Sequence, residues 1–437
     1  MNRMMWRRDE RWGSCGYARC LVVVGMVWTC LTSSGSARAD DRFPLRQQPI
    51  DYFGESTDNV VAALAAKLER GEARLVYDET SPQGYLRSLL GLLDVPVESQ
   101  VLNFTAAARN AQHVRYEQPR AIYFSDEATV GYVPGTPELE LTAFDPQRGT
   151  VFYTLRQLAS ETPRIEREDN CLQCHVSPAT TRGVAGLILS SLVVSPDGKS
   201  SKLVPLSRNL APIDRFGAWF VTGDRGPGLH RGNDRLASTA WSAARAASAE
   251  RDSPVTLPVE LPAGRYPTLE SDIAALLALS HLVEVHNLST RLRYESLLGR
   301  PTEATEDRLA RELLGADEAP VDGRATHDAF APSGFRMWFE SRGVIDPTAD
   351  ANGSLHALDL HTRLFRHRLS PFRLSRVVES LPRDIQARLD RRIELVLRGR
   401  EDAAPFDAWP ESERTATRKA WRSAIERRSK TPAANAE

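Results

Sequence analysis

Apolar residues recur along this chain with two different periods. Over 58–70, Val60, Val61, Leu64 and Leu68 fall on one helical face. Asp58 stands where an N-cap is needed and Gly71 where a helix ends, so the pattern predicts a first helix there. A second short helix is predicted over 85–93. The period then shortens. Ala121-Ile122-Tyr123-Phe124 and 129–133 read as strands separated by Ser125-Asp126-Glu127, and Pro134-Gly135 turns the chain. Residues 138–144 and 150–155 read as a hairpin closed by Asp145-Pro146-Gln147-Arg148-Gly149. A second hairpin is predicted from 186–194 and 201–205 across Ser195-Pro196-Asp197-Gly198, and 218–221 reads as one more short strand.

Residues 234–268, rich in Ala, Ser and Pro, read as an irregular linker, and from 269 the helical period returns. Residues 273–298 are apolar on nearly every side, which predicts a buried helix. Pro382 opens an amphipathic helix with Ile385, Leu389, Ile393, Val396 and Leu397 inward; Arg383, Arg388, Arg391 and Arg392 form its solvated face. The expected class is α+β: a β-rich N-terminal half with hairpins, then a mainly helical C-terminal half. The expected divisions are 1–39, 40–233, 234–268 and 269–430.

The first 39 residues have a different character. Arg3, Arg7, Arg8, Arg11 and Arg19 precede the apolar run Leu21–Leu31, and Ala37-Arg38-Ala39 offers a small-x-small cleavage site. This is the layout of a secretory signal peptide; an uncleaved membrane anchor is the alternative. Export to the periplasm follows, with no integral span expected after cleavage. The formal net charge of −1 gives no reason to expect a nucleic-acid partner.

Cleavage at Ala39 makes the cysteines informative. Of Cys15, Cys20, Cys30, Cys171 and Cys174, only the last two would remain. They stand in Cys171-Leu172-Gln173-Cys174-His175. Two intervening residues let one turn of chain present both sulfurs to the two vinyl groups of a porphyrin, and the adjacent histidine reaches the iron. This composition would produce the pattern by chance in about one such chain in a thousand. A redox dithiol would sit where a strand breaks into a helix, and the polar stretch 161–170 shows no clear strand. A zinc site would need ligands that no other remaining cysteine supplies. The expectation is one covalent haem c, on Cys171 and Cys174, with His175 as proximal iron ligand.

A sixth ligand is harder to place. His281 and His286 lie in the apolar helix, five residues and so about 140° apart. They cannot both face one iron, and each also reads as an ordinary core histidine. His230 sits in the glycine-rich loop 222–233, where glycines permit close approach to a flat cofactor or simply make turns. Met337, between aromatic residues, reads as core filler. His327, His356, His361 and His367 read as solvated.

The segments Ala121-Ile122-Tyr123-Phe124 to Val133, Phe144-Asp145-Pro146 to Leu155, Cys171 to His175, Gly217 to Gly223 with His230 and Gly232-Asn233, and His281 with His286-Asn287 together resemble large exported bacterial cytochrome c domain-containing proteins. The matching segments are spread over most of the chain that would remain after cleavage. It implies a haem protein of the cell envelope and assigns no reaction. In that family the loop after Thr222-Gly223 carries a further histidine; this chain has Arg225 there, which directs attention to His230, His281 and His286 as distal iron ligands.

Two functions fit. One is one-electron transfer to a redox partner protein of the envelope. The other is a haem-based enzyme or ligand sensor whose distal iron position is open or exchangeable. A haem with a mainly structural role is a blander third.

Overall fold

The computed structural model describes residues 43–55, 57–105, 109–194, 201–206, 215–221, 264–318, 334–343, 353–360, 362–401 and 404–430. The signal-like segment, His230, His327, His361, Arg225 and most of the 234–268 stretch lie outside these residues.

Strands carry the first half. β1 (Val101–Asn103), β2 (Arg120–Phe124), β3 (Ala128–Tyr132), β4 (Glu138–Asp145), β5 (Gly149–Arg156) and β6 (Ile165–Arg167) form an antiparallel meander, and β9 (Trp219–Phe220) pairs with the outer side of β1. The sheet order is β6-β5-β4-β3-β2-β1-β9. β7 (Ser190–Val194) and β8 (Ser201–Pro205) make a separate hairpin. The predicted hairpins are all present, with ends shifted by one to four residues.

Alternation along the strands sorts the sheet into two faces. Ala121, Tyr123, Val130, Tyr132, Leu139, Leu141, Ala143, Val151, Tyr153 and Leu155 are buried on one, against α1 (Val60–Glu69) and α2 (Leu86–Leu92). Burial of each of the Val and Leu side chains among them contributes about 1.5–3 kcal/mol. The cap of α1 differs from expectation. Asn59, not Asp58, accepts from the Ala62 amide, and the Asp58 amide instead donates to Asp145 Oδ2 at 2.7 Å. The Asp58 carboxylate pairs with Arg376 at 2.6 Å instead of capping.

The other face is divided. At the end carrying the β2–β3 and β4–β5 turns, Phe124 and Phe144 are buried against the long helix α4 (Ile273–Leu297). Toward the opposite end, Arg120, Ile122, Glu140 and Thr154 are only half-buried, as are Thr129 and Thr142 between them and Phe144. The segment that carries Cys171 packs beside this open area.

Helix α4 is capped by Asp272, whose side chain accepts from the Ala274 amide at 2.8 Å. It is buried on nearly all sides, as its composition predicts. By length and composition it could cross a membrane, but 89% of its most apolar window is enclosed by the fold. α5 (Glu303–Leu313), α6 (Gly334–Ser341), α7 (Arg376–Glu379), α8 (Arg383–Leu397) and α9 (Glu411–Lys430) complete the helical half, which shares one core with Phe124, Phe144 and Trp219 of the sheet. On α8, Ile385, Leu389, Ile393, Val396 and Leu397 are buried as expected; outward, Arg388 pairs with Glu306 and Arg392 with Asp307 of α5.

Candidate haem-attachment site

The polar stretch before Cys171 contains a strand that its sequence conceals. Ile165–Arg167 pairs antiparallel with Tyr153–Leu155 as an edge strand, so backbone pairing rather than apolar alternation defines it. The Glu168 carboxylate then accepts from the Asn170 amide, a 3₁₀ turn spans Asp169–Cys171, and α3 (Leu172–His175) is a single helical turn. Val176 is extended and stops it. A strand does therefore precede the Cys-x-x-Cys pair, contrary to the sequence reading.

The dithiol alternative is weakened on different grounds. Burial, reinforced by Glu168, pushes the Cys171 thiol up to about 11. A redox-active dithiol needs the opposite, a thiol shifted down toward neutrality. Cys171 is half-buried and Cys174 exposed, and neither is in a disulfide.

His175 is held in a defined orientation. Its ring lies against Phe152 of β5, centroids 4.7 Å apart. Nδ1 is 2.9 Å from the Gly186 carbonyl, and the Gly186 amide donates to the His175 carbonyl at 3.1 Å. A carbonyl only accepts, so Nδ1 carries the proton. Burial keeps the ring below its ordinary pKa and therefore neutral. In that tautomer Nε2 presents a lone pair, and among the described residues it makes no hydrogen bond. A neutral imidazole with Nδ1–H on a backbone carbonyl and Nε2 free is the state in which histidine binds iron.

The support for Gly186 comes from far along the chain. Asn287 of α4 is buried; its Oδ1 accepts from the Leu187 amide at 3.1 Å and its Nδ2 donates to the Leu187 carbonyl at 2.9 Å. Any Cβ at Gly186 would overlap Asn287 Oδ1. On the same stripe of α4, Arg291 donates to the Arg182 carbonyl and Tyr294 to the Arg148 carbonyl. The 287, 291, 294 spacing is that of one helix face. Within the loop, the Thr181 hydroxyl donates to the Val184 carbonyl at 2.7 Å and accepts from the Ser177 amide at 2.9 Å.

Charged side chains close the edge of the site. Arg109 pairs with Glu138 at 2.5 Å and with Glu168 at 2.6 Å; Arg120 pairs with Glu140 at 2.5 Å. A hollow of about 400 Å³, lined among others by Phe43, Phe53, Leu172 and Val176, opens beside the same turn. Leu172 and Val176 line this hollow, whereas Cys171, Cys174 and His175 do not, so it flanks the cysteine turn.

The residues present fit a covalent porphyrin. Two unpaired thiols and a ligand-competent imidazole share one turn, next to a half-exposed sheet face. They fit a protein-only metal site less well: among the described residues no group of three or more His, Cys, Asp and Glu side chains could hold a metal ion.

The remaining histidines have other neighbours. His281 is buried, with Nδ1 2.7 Å from Glu312 Oε1 and Nε2 2.8 Å from Ser370 Oγ. Both nitrogens are engaged, so His281 is a core histidine. The Ser370–His281–Glu312 order is that of a hydrolytic triad, but Ser370 is 1% exposed and its hydroxyl also accepts from the Phe372 amide, so no substrate reaches it. His286 lies against Phe144, its ring N–H donates to the Asp126 backbone carbonyl, and burial nevertheless pushes it down to about 4; its Nε2 is buried without a partner. The His175, His281 and His286 rings thus sit among separate neighbours, and the structure does not bring either α4 histidine onto His175. His230 lies outside the described residues.

Two sequence expectations change. Met337 is 59% exposed, because α6 packs through Phe335 and Phe339 instead. His367 is buried and His356 half-buried and pushed down to about 4, rather than solvated, because residues 353–360 and 362–375 pack into the helical core. Sequence reasoning did not single out Phe152, Gly186, Asn287 or the Arg120–Glu140 pair for this site. An asparagine in the middle of an apolar helix was the one available clue. Comparison of the chain with protein-family models, with curated proteins and with solved structures found no match.

Proposed function

We propose that this chain is an exported mono-haem c-type cytochrome that passes single electrons to a partner protein in the bacterial cell envelope. Cys171 and Cys174 would hold the porphyrin through thioether bonds, and His175 would supply the proximal ligand. The bound haem would supply a one-electron iron couple. The protein's own contribution is to hold His175 as the Nδ1–H tautomer on the Gly186 carbonyl, backed by Asn287, and to cover one side of the site with Phe152. The single observation that carries the reading is this ligand-competent histidine directly beside two unpaired thiols on one helical turn. The resemblance to exported cytochrome c domain-containing proteins agrees with it, as does the signal-like N-terminus.

Expression of the full chain together with a working haem-ligation system tests the proposal. The expected product gains the mass of one haem, keeps its pigment in acidified organic solvent, and loses both properties when Cys171 and Cys174 are replaced by Ser. Free extraction of the pigment, or bare polypeptide from cells that ligate haem to a control cytochrome, would refute it.

A further inference from the structure

Arg120, Gly131 and Glu140 lie on three neighbouring strands of the half-exposed face. Gly131 is the register partner of both Ile122 and Glu140, and Arg120 is one pleat along from Ile122. The Arg120 side chain therefore crosses β3 to reach Glu140 on β4. It can do so because position 131 has no side chain: a Cβ there would stand 2.6 Å from Nη2 and 3.0 Å from Nε of Arg120. The guanidinium lies flat on the sheet and meets Glu140 Oε2 at 2.5 Å, while Glu140 Oε1 accepts from Asn110 Nδ2 at 3.2 Å. The two side chains are 24% and 19% exposed, so water screens them incompletely. Glu140 is the register partner of Thr154, one pleat from Phe152, whose ring packs on His175; Asn110, which donates to Glu140, follows Arg109, which pairs with Glu168 shortly before Cys171. The pair therefore lies on the same sheet face as Phe152 and next to the elements that frame the cysteine turn.

We propose that Arg120 and Glu140, paired across Gly131, exert opposite and nearly balanced effects on the reduction potential of the haem held at Cys171, Cys174 and His175. This deepens the proposed function and rests on it. Reduction adds one electron, taken from a donor protein or an electrode, and converts ferric iron to ferrous. The site loses one positive charge in that step. A neighbouring carboxylate favours the ferric state and a neighbouring guanidinium the ferrous state. Paired, the two nearly cancel; separated, each shows its full effect.

The test is potentiometry of the haem-loaded full chain with Arg120→Gln, Glu140→Gln and the double variant. Glu140→Gln is expected to raise the midpoint potential and Arg120→Gln to lower it. Each should change the ferric-to-ferrous equilibrium constant about tenfold, or about 59 mV for one electron. The double variant should return to within about threefold of the wild type. A purely structural ion pair predicts something different: both single variants shift in the same direction, or both leave the potential alone while lowering stability. Either result overturns the proposal. Arg120→Lys and Glu140→Asp keep both charges and are expected to keep the wild-type potential. A shift in these as large as in the glutamine variants overturns it too, and they decide the matter if the glutamine variants do not fold. Mass and haem staining of each sample separate the two levels. Covalent haem with unshifted potentials sinks this inference alone, whereas wild-type protein without covalent haem sinks the function on which it rests.

Discussion

Removal of the Asn287 amide tests whether α4 positions the segment that carries Cys171, Cys174 and His175. Asn287 is 2% exposed and makes both of its hydrogen bonds to the backbone of Leu187, one residue beyond the carbonyl that holds His175. Asn287→Ala removes two bonds and leaves an amide and a carbonyl without partners. A buried group left unpaired costs about 1–3 kcal/mol. Leu187 is half-buried, so water recovers part of this, and the loss should be about 2–3 kcal/mol. That is a large share of the roughly 5–15 kcal/mol that holds an ordinary domain together. Urea denaturation of the haem-free chain, followed by tryptophan fluorescence, measures it. Gly186→Ala completes a cycle. Its new methyl would overlap Asn287 Oδ1, so alone it should cost about 1–3 kcal/mol as an overpacked site. With Asn287 already shortened to Ala, the overlap with its amide is gone and only the contact with Thr181 Cβ, at 3.2 Å, stays tight, so the double variant should lose clearly less than the two single losses together. A loss below about 0.5 kcal/mol for Asn287→Ala, or strict additivity of the pair, would refute the claim that these two residues form one support.

Other outcomes follow from the histidines. His281→Ala leaves the Glu312 carboxylate and the Ser370 hydroxyl without their shared partner and should cost about 2–4 kcal/mol. The same variant should leave the haem spectrum untouched; a change of spin state would return His281 to the list of iron ligands. His286 is held down to about 4 in the folded chain and titrates near 6.5 when unfolded. Between those values the unfolded chain binds the proton and the folded chain does not, so stability is full above about pH 7 and falls as the pH drops toward 4. The site accounts for up to about 3 kcal/mol, and His286→Asn should flatten that part of the pH profile; identical profiles for variant and wild type between pH 7 and 4.5 would show that His286 is not the cause. Finally, electron transfer through a doubly ligated haem predicts a low-spin spectrum unaffected by carbon monoxide, whereas a high-spin ferric spectrum that shifts with cyanide would favour the sensor or enzyme reading.

Local chemistry was legible in the sequence because it is decided within a turn or a hairpin. Apolar alternation located β2 to β5, the unbroken apolar run marked α4, and five consecutive residues carried the haem-attachment pattern. What depended on distant partners was not legible. The edge strand Ile165–Arg167 has no apolar period and exists through its ladder to β5. The N-cap is Asn59 rather than Asp58, whose carboxylate is paired with Arg376, far along the chain. The tautomer of His175 was fixed by a carbonyl 11 residues away, and that carbonyl's position by a helix 100 residues further on. Nor could spacing alone tell that both nitrogens of His281 were already spoken for, or that a glycine on the middle strand let an arginine lie across to its carboxylate. Sequence determines which groups a segment offers; only the folded chain decides which of them meet, because hydrogen bonds and ion pairs form over a few ångströms of space however many residues separate the partners.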